Sequence, residues 1–499
     1  MIQQIDYFAI APPLALALVA GLVLLLDAFL PAASRTKTAL GAITLAGIVL
    51  SLGFVIAQAV RGGTRSTFCV PPNLEPQQLC SFVVDRFTLV FAGLVLVAAV
   101  VVVAMSFTEL AGGGIPVGEW YFLLLCTLVG AVTLPASRDL IMLVVALELV
   151  SLPVFALTAL KRYDGRASEA AVKLFVVSVV STAIMLFGVS LLYGIAGTVY
   201  LSRLSEVFTG AVPAPGVALT ASVVTVGVVL VVAGFAFKIA AVPFHSWAAD
   251  VYQGAPIPVA ALLSVISKAA GFAGLILVLV TALSGQAATW APIMAIIAAL
   301  TMTVGNLLAM RQRSAVRLLA WSSVAQSGYI LAPLAVTSAE LMPGAISASM
   351  AYLVIYAAMN LGAFAVVMLV SKTSARNELD DYRGLALRRP AAGIALAFCL
   401  VCLAGLPPGL AGLFAKVFVF REIIETGSGW LALVMAVNTV IGLYYYVVWT
   451  ARLFAPAAGL APRPHPSTWF AIGLALVAVV LFSIAPQFVL DLTSLSASG

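Results

Sequence analysis

An all-α polytopic membrane protein of about fourteen transmembrane helices is the fold class this sequence predicts, and three observations carry it. First, 63% of the 499 residues are hydrophobic and 9% are charged, with a mean hydropathy of +1.16. An average soluble protein is about a quarter charged, so this chain lacks the polar surface to cover a globule in water. Second, the apolar residues come in runs long enough to cross a bilayer, which takes roughly 20 residues. Third, the basic residues sit in short loops between those runs, where they act as orientation signals. Soluble enzyme, nucleic-acid binder and disordered scaffold are excluded. The net charge of +6 and pI near 9.1 therefore speak of a lipid bilayer and not of nucleic acid.

The first run, 8–30, has no Lys or Arg before it and exceeds the 7–15 residues of a signal-peptide core. It reads as an uncleaved first helix. The next runs are 38–60, 84–106, 119–136, 139–160, 170–196, 219–243 and 256–283. The remainder are 289–310, 315–337, 343–371, 391–424, 428–454 and 467–487. When loops are assigned alternately to two sides, fifteen of the 25 Lys and Arg residues fall on one side and six on the other. The richer side, which holds Arg35, Arg317, Arg452 and Arg463, is expected in the cytoplasm, so both termini are expected outside. Lys173, Lys238, Lys268 and Lys416 fall within the runs themselves.

Two long segments are interrupted. In 219–254 the run AGFAFKIAAV meets Pro243, and in 391–424 the run ALAFCLVCLAG meets LPPG. Proline removes a helix hydrogen bond and clashes with the preceding turn. A bilayer tolerates the break only where protein or a watery cavity satisfies the freed backbone. Each interrupted segment is fourth in a set of five, 119–283 and 289–454, and such pairing points to an internal repeat and a transport site. The expected units are a three-helix segment 1–118, two five-helix units 119–283 and 284–455, and a final helix within 456–499.

The chemistry lies in ionisable residues within apolar runs. Glu148 sits in LIMLVVALELVSLPVF, where a charge costs about 3 kcal/mol or more unless partnered. Lys268 lies about twelve residues into its run, roughly 18 Å deep at 1.5 Å per residue. Lys416 stands alone in LAGLFAKVFVF, and Lys238 precedes Pro243 by five residues. Lysine suits proton transfer here, because desolvation and a nearby carboxylate pull its proton affinity in opposite directions. A Glu148–Lys238 pair that forms and separates would switch the lysine between holding and releasing a proton. Lys268 would accept it and Lys416 would pass it on. The alternative for Glu148, Lys268 and Lys416 is a structural ion pair, and for Lys238, whose run nearly ends at Pro243, it is snorkelling. Lys173 has the alternative of snorkelling to its loop, and His245, in FHSW, that of an interfacial histidine, though histidine also suits proton relay. The sequence contains no Gly-rich phosphate loop, metal-ligand cluster or nucleophile elbow.

Cys69 and Cys80 flank FCVPPNLEPQQLC in the loop 61–83, on the side assigned as external, where a disulfide persists. The alternative is two unpaired thiols. Cys399 and Cys402 lie in an apolar helix and read, like Cys126, as small core residues.

The stretches ALELVSLPVFALTAL, FKIAAVPFHSWAADVYQGAPIPVAALLSVISKAAGF and GLPPGLAGLFAKVFVF resemble the antiporter-like membrane subunits of respiratory complex I. The likeness covers most of the chain and is specific through 235–275. Three features favour the N branch over the L and M branches: no C-terminal extension, Lys at 416 where M members carry Glu, and Gly254 where L and M members carry Glu. Ala249 departs from a common Pro.

The resemblance implies two inverted five-helix repeats, each with a broken helix. It also implies Glu148 and Lys238 as a coupling pair, Lys268 as central relay and Lys416 as terminal relay, with Lys173 and His245 at less decisive positions. By the same likeness the chain is a bacterial cell-membrane subunit of a proton-pumping NADH-quinone oxidoreductase, without a redox centre of its own. FMN, Fe–S clusters and quinone, menaquinone by the Ala/Val-rich composition, then belong to partner membrane and peripheral subunits. A multisubunit sodium/proton antiporter subunit and a structural subunit with inert ion pairs are the alternatives.

Overall fold

The computed structural model describes residues 5–31, 33–71, 78–213, 221–374, 376–456 and 465–495. Arg463, residues 72–77 between the two loop cysteines, and the first two residues of the 219–243 run lie outside them. Helices α1 (Ala11–Phe29) and α2 (Ser34–Arg61) lead into a hairpin of β1 (Arg65–Cys69) and β2 (Cys80–Val84). Then come α3 (Arg86–Leu110), α4 (Val117–Thr133), α5 (Leu140–Ala159), α6 (Gly165–Ala196), the short α7 (Leu201–Phe208) and α8 (Ala221–Lys238). The broken region continues as α9 (Ala248–Gly254), α10 (Ile257–Leu262) and α11 (Lys268–Ile276). The chain then forms α12 (Ala287–Ala309), α13 (Ala315–Leu331), α14 (Met342–Ser371), α15 (Leu385–Arg388), α16 (Pro390–Ala404) and α17 (Leu410–Glu425). Last are α18 (Gly429–Phe454), α19 (Pro466–Ile484) and α20 (Pro486–Thr493).

The helix starts follow from local chemistry. Asp85, Asp139 and Asp164 cap α3, α5 and α6 by accepting the backbone N–H of Thr88, Met142 and both Arg166 and Ala167. Proline opens α16, where its missing N–H costs nothing. Gly197, in the left-handed region, closes α6.

Among the described residues, eleven helical segments are long and apolar enough to cross a membrane. The remaining apolar helices are shorter: α8 has 18 residues, α13 has 17, α16 has 15 and α17 has 16. The first interruption comes earlier than Pro243. A helix continued to that residue would drive the proline ring against the carbonyl of Ile239, four positions back, and α8 ends at Lys238.

Position in the bundle follows composition. The 342–371 helix α14 is buried along its length and packs against α13, α16, α17 and α19. The 257–282 segment is almost as enclosed, and α-helical turns there alternate with π-helical ones at Leu263–Ser267 and Leu277–Ala282. On α6 and α18, Phe175, Val179, Phe187, Leu433, Val440 and Val447 stand exposed. Such outward apolar faces suit lipid and would be untenable in water. The chain is a multi-pass membrane protein.

The hairpin is the one described sheet, antiparallel, with Arg65 opposite Val84 and Cys69 opposite Cys80. Cys69 and Cys80 are joined in a disulfide, their Cα atoms 3.8 Å apart.

Candidate functional site

Glu148, nine residues into α5, points between α6 and α8. One carboxylate oxygen, Oε1, accepts from Lys238 Nζ at 3.3 Å and from the Thr182 hydroxyl of α6 at 2.8 Å. The Lys238 ammonium also donates to Ser151 Oγ at 2.7 Å and to Ser178 Oγ at 3.1 Å. Ser151 lies one turn beyond Glu148 on α5, so a single helix face supplies both the charge and a hydroxyl. Lys238 is the last residue of α8, where the helix macrodipole favours a cation. The lysine side chain is 6% exposed and the carboxylate 23%, so the pair is withdrawn from water without being sealed.

A small cavity of about 20 Å³ lies against this pair, lined by Ser151, Ser178, Lys238, Trp247 and Ser267 among others. It has room for one water, which needs roughly 10–15 Å³ measured this way. Ser267 directly precedes Lys268, so the cavity reaches from one lysine to the threshold of the next. Gly271, one turn past Lys268, keeps the two elements close: a Cβ there would stand 2.9 Å from Ile239 and 3.3 Å from the Lys238 Cβ.

Lys268 is 1% exposed and follows the first π-helical turn. Its ammonium donates to the Ser323 carbonyl and, at 2.6 Å, to the Ser323 hydroxyl on α13. The Tyr356 hydroxyl of α14 donates to that same serine oxygen at 2.8 Å. No carboxylate shares these hydrogen bonds. π-Helical turns recur at functional sites, and this one sets the lysine toward α13.

Lys416 is held by a helix end. Its ammonium donates to the carbonyls of Leu403 at 3.3 Å and Ala404 at 2.7 Å, the last two residues of α16. The face of Tyr329 lies 5.4 Å away. The broken helix thus turns its electronegative end onto a cation, an arrangement discontinuous membrane helices use for ions. Gly405 makes it possible, because its φ of +81° disfavours any side chain and a Cβ would stand 3.2 Å from Lys416 Nζ.

The other two predicted residues lie apart from these hydrogen bonds. Lys173 pairs with Glu169 at 2.7 Å and Asp250 at 3.3 Å, its side chain 44% exposed. His245 is half-buried between α8 and α9, with its ring edge-on to Trp321 at 5.5 Å. Sequence reasoning missed the network around Lys173: Asp250 also accepts from Arg317 at 2.8 Å, which donates to Gln253 at 2.9 Å, tying α6, α9 and α13 around a cavity of about 330 Å³. It missed Ser151, Ser178, Thr182 and Ser323 too, since a hydroxyl in an apolar helix carries no signal of its partner. Cys399 and Cys402 are buried within α16. Among the described residues no group of three or more His, Cys, Asp or Glu is placed to hold a metal ion.

Comparison with known proteins identifies the family. A family model described as NADH:quinone oxidoreductase/Mrp antiporter, TM, matches residues 137–442. NADH-quinone oxidoreductase subunit N 2 of Streptomyces griseus is 49% identical over 99% of this chain and 94% of its own. Subunit N of Salinispora tropica is 45% identical over 91% of this chain and 86% of its own. Among solved structures, a chain of Thermus thermophilus respiratory complex I with bound aureothin is 29% identical, with a TM-score of 0.76, covering 96% of this chain and 98% of that one. A chain of the Mrp complex from Dietzia is 20% identical with a TM-score of 0.79, covering 97% of this chain and 96% of that one, a likeness of fold alone.

Proposed function

Because the chain belongs to the antiporter-like membrane subunits shared by NADH:quinone oxidoreductases and Mrp antiporters, in the subunit N branch, we propose that it moves protons through Glu148, Lys238, Lys268 and Lys416. It is a membrane-arm subunit of a proton-pumping NADH-quinone oxidoreductase. Electron transfer belongs to partner chains carrying FMN, Fe–S clusters and quinone, with menaquinone as the acceptor. The 119–283 and 284–455 units are inverted repeats within fourteen crossings, with α8 and α9, and again α16 and α17, making one crossing each. Both ends face outward from a bacterial cell membrane, as does the disulfide hairpin.

The observation that carries this reading is that each buried lysine stands where the regular α-helix ends or changes its winding. Lys238 ends α8, Lys268 follows a π-helical turn, and Lys416 sits on the end of α16. At such points backbone and water replace hydrocarbon, so a proton has somewhere to go. With Glu148 close by, Lys238 keeps its proton: two unit charges 4 Å apart attract by about 4 kcal/mol at an effective dielectric of 20. Separating the pair removes that hold, and the desolvated ammonium yields its proton toward Lys268.

Two measurements test this. Native complex purified in mild detergent should carry FMN and Fe–S subunits; copurification with cation/proton antiporter subunits alone would favour the Mrp-type reading. Lys268→Ala should lower protons moved per NADH in sealed vesicles. If it instead only reduced assembly, the inert structural subunit would be the better description.

A further inference from the structure

Between Lys268 and Lys416 the interior is neutral. Among the described residues the fully buried charged side chains are Lys238, Lys268, Lys416 and Asp139. What fills the gap is a stripe of fully buried phenols and amides on α13 and α14. At one end, Tyr356 donates to the Ser323 oxygen that receives the Lys268 ammonium. One turn along α14, the Tyr352 hydroxyl donates to Gln326 Oε1 at 2.7 Å. The Tyr352 ring stacks on Tyr329 with centroids 6.0 Å apart and planes 15° apart. The Lys416 ammonium in turn lies over the Tyr329 ring, 5.4 Å from its centroid, while the Tyr329 hydroxyl accepts from the Asn306 amide at 3.2 Å.

Spacing makes this a track. Ser323, Gln326 and Tyr329 recur at i, i+3 and i+6 on α13, and Tyr356 and Tyr352 are four apart on α14. Successive members are three or four residues apart, and such neighbours stand about 5–6 Å apart between Cβ atoms, a gap that one water spans. A buried hydroxyl without a partner costs about 1–3 kcal/mol, so a core that needed only packing would hold phenylalanine and leucine here.

We propose that Tyr352 is the group through which a proton passes between Lys268 and Lys416, and that Gln326 is its positioning residue. This rests on the proton-path reading of the lysines. In the step, the Lys268 ammonium gives up one proton toward the Ser323 and Tyr356 hydroxyls. With one water bridging each gap, every hydroxyl along the line accepts one proton and releases its own, the last water gives one to the neutral Lys416 amine, and Tyr352 turns from Gln326 to the water when it releases. No heavy-atom bond changes, and the net result is one proton moved. Gln326 does not relay: its carbonyl oxygen holds the Tyr352 hydroxyl, while its amide donates to Tyr446 at 3.3 Å, which fixes the orientation of both.

The test uses the whole complex in sealed vesicles with a pH-sensitive dye, scored as protons moved per NADH oxidised. Tyr352→Phe keeps the ring and its stack and removes only the hydroxyl. It should lower the ratio as far as Lys268→Ala does. Gln326→Glu, which still accepts from Tyr352, should retain more of the ratio than Gln326→Leu at equal complex content, and Gln326→Leu should shift the pH profile of pumping. If Tyr352→Phe pumped like the unsubstituted complex while Lys268→Ala did not, the relay through Tyr352 would be wrong and the lysine path would stand. If Lys268→Ala pumped normally, the lysine path itself would fall. Equal ratios and pH profiles for the two Gln326 variants would overturn the positioning role.

Discussion

Glu148 and Lys238 meet at 3.3 Å from two different helices, and the carboxylate oxygen they share with Thr182 is the only acceptor with a formal charge that Lys238 reaches among the described residues. Removing one member of a buried pair leaves the other uncompensated, a cost of about 3–5 kcal/mol when the site is fully dry. With Glu148 neutralised, Lys238 is the charge left behind, and it keeps the Ser151 and Ser178 hydroxyls as acceptors, so the cost falls below that figure and the fold survives.

Glu148→Gln is therefore the informative substitution. Glutamine keeps an oxygen for Thr182 and for Lys238 while losing the charge. The charge it loses is worth about 4 kcal/mol of attraction to Lys238 at an effective dielectric of 20. Protons moved per NADH should fall, with NADH oxidation by partner subunits partly intact. A dye-based pumping assay alongside NADH absorbance decides it; a normal ratio would remove Glu148 from the mechanism.

The disulfide offers a separate check. Cys69 and Cys80 are eleven positions apart and sit opposite one another in the hairpin. Closing a loop of about a dozen residues contributes on the order of 3 kcal/mol in the chain-entropy model. Peptides digested without reductant should contain the linked pair, and Cys69→Ser should lower the melting temperature of the hairpin region. Finding both thiols free in unreduced material would refute the bridge.

Some of this was legible in the sequence and some was not, for identifiable reasons. Glu148 and the three buried lysines announced themselves, because charge inside an apolar run must be paired, neutralised or hydrated. The two breaks were legible from Pro243 and LPPG. The hydroxyls that complete the site were not. Ser151 donates to the Leu147 carbonyl of its own helix as well as accepting from Lys238, and the first bond is open to any serine in a helix. The hairpin was hidden because its strands are five residues each within a loop. The π-helical turn before Lys268 depends on what packs around it. Gly254 was read only as a marker of the N branch, and its physical role lies in the contact between α9 and α6.

That contact makes the next prediction. A Cβ on Gly254 would stand 2.6 Å from the Ala170 Cβ and 2.7 Å from the Arg166 carbonyl. Both are parts of α6 that cannot move without disturbing the Lys173–Asp250–Arg317 network. Overpacking of this kind costs about 1–3 kcal/mol. Gly254→Ala should lower the thermal stability of the purified complex, and Gly254→Glu should lower it further. A melting temperature equal to that of the unsubstituted complex for both would show that α9 can shift away freely.

Lys268 is expected to act as a proton carrier and not as a fixed charge. It is 1% exposed, and its ammonium is met by the Ser323 carbonyl and hydroxyl with no carboxylate among its hydrogen-bond partners. Neutral groups can hold an ammonium, and they leave it free to become an amine. Arginine keeps the positive charge and donates to the same oxygens, but it does not deprotonate in proteins. Lys268→Arg should therefore preserve assembly better than Lys268→Ala, which leaves the Ser323 carbonyl and hydroxyl without the ammonium that donates to them. It should nonetheless pump poorly, since the site can no longer cycle through a neutral form. Complex content by blue-native gel separates the two effects, and vesicle pumping reads the second. If Lys268→Arg moved protons at the unsubstituted rate, a permanent positive charge would suffice at this position and the carrier role would be wrong.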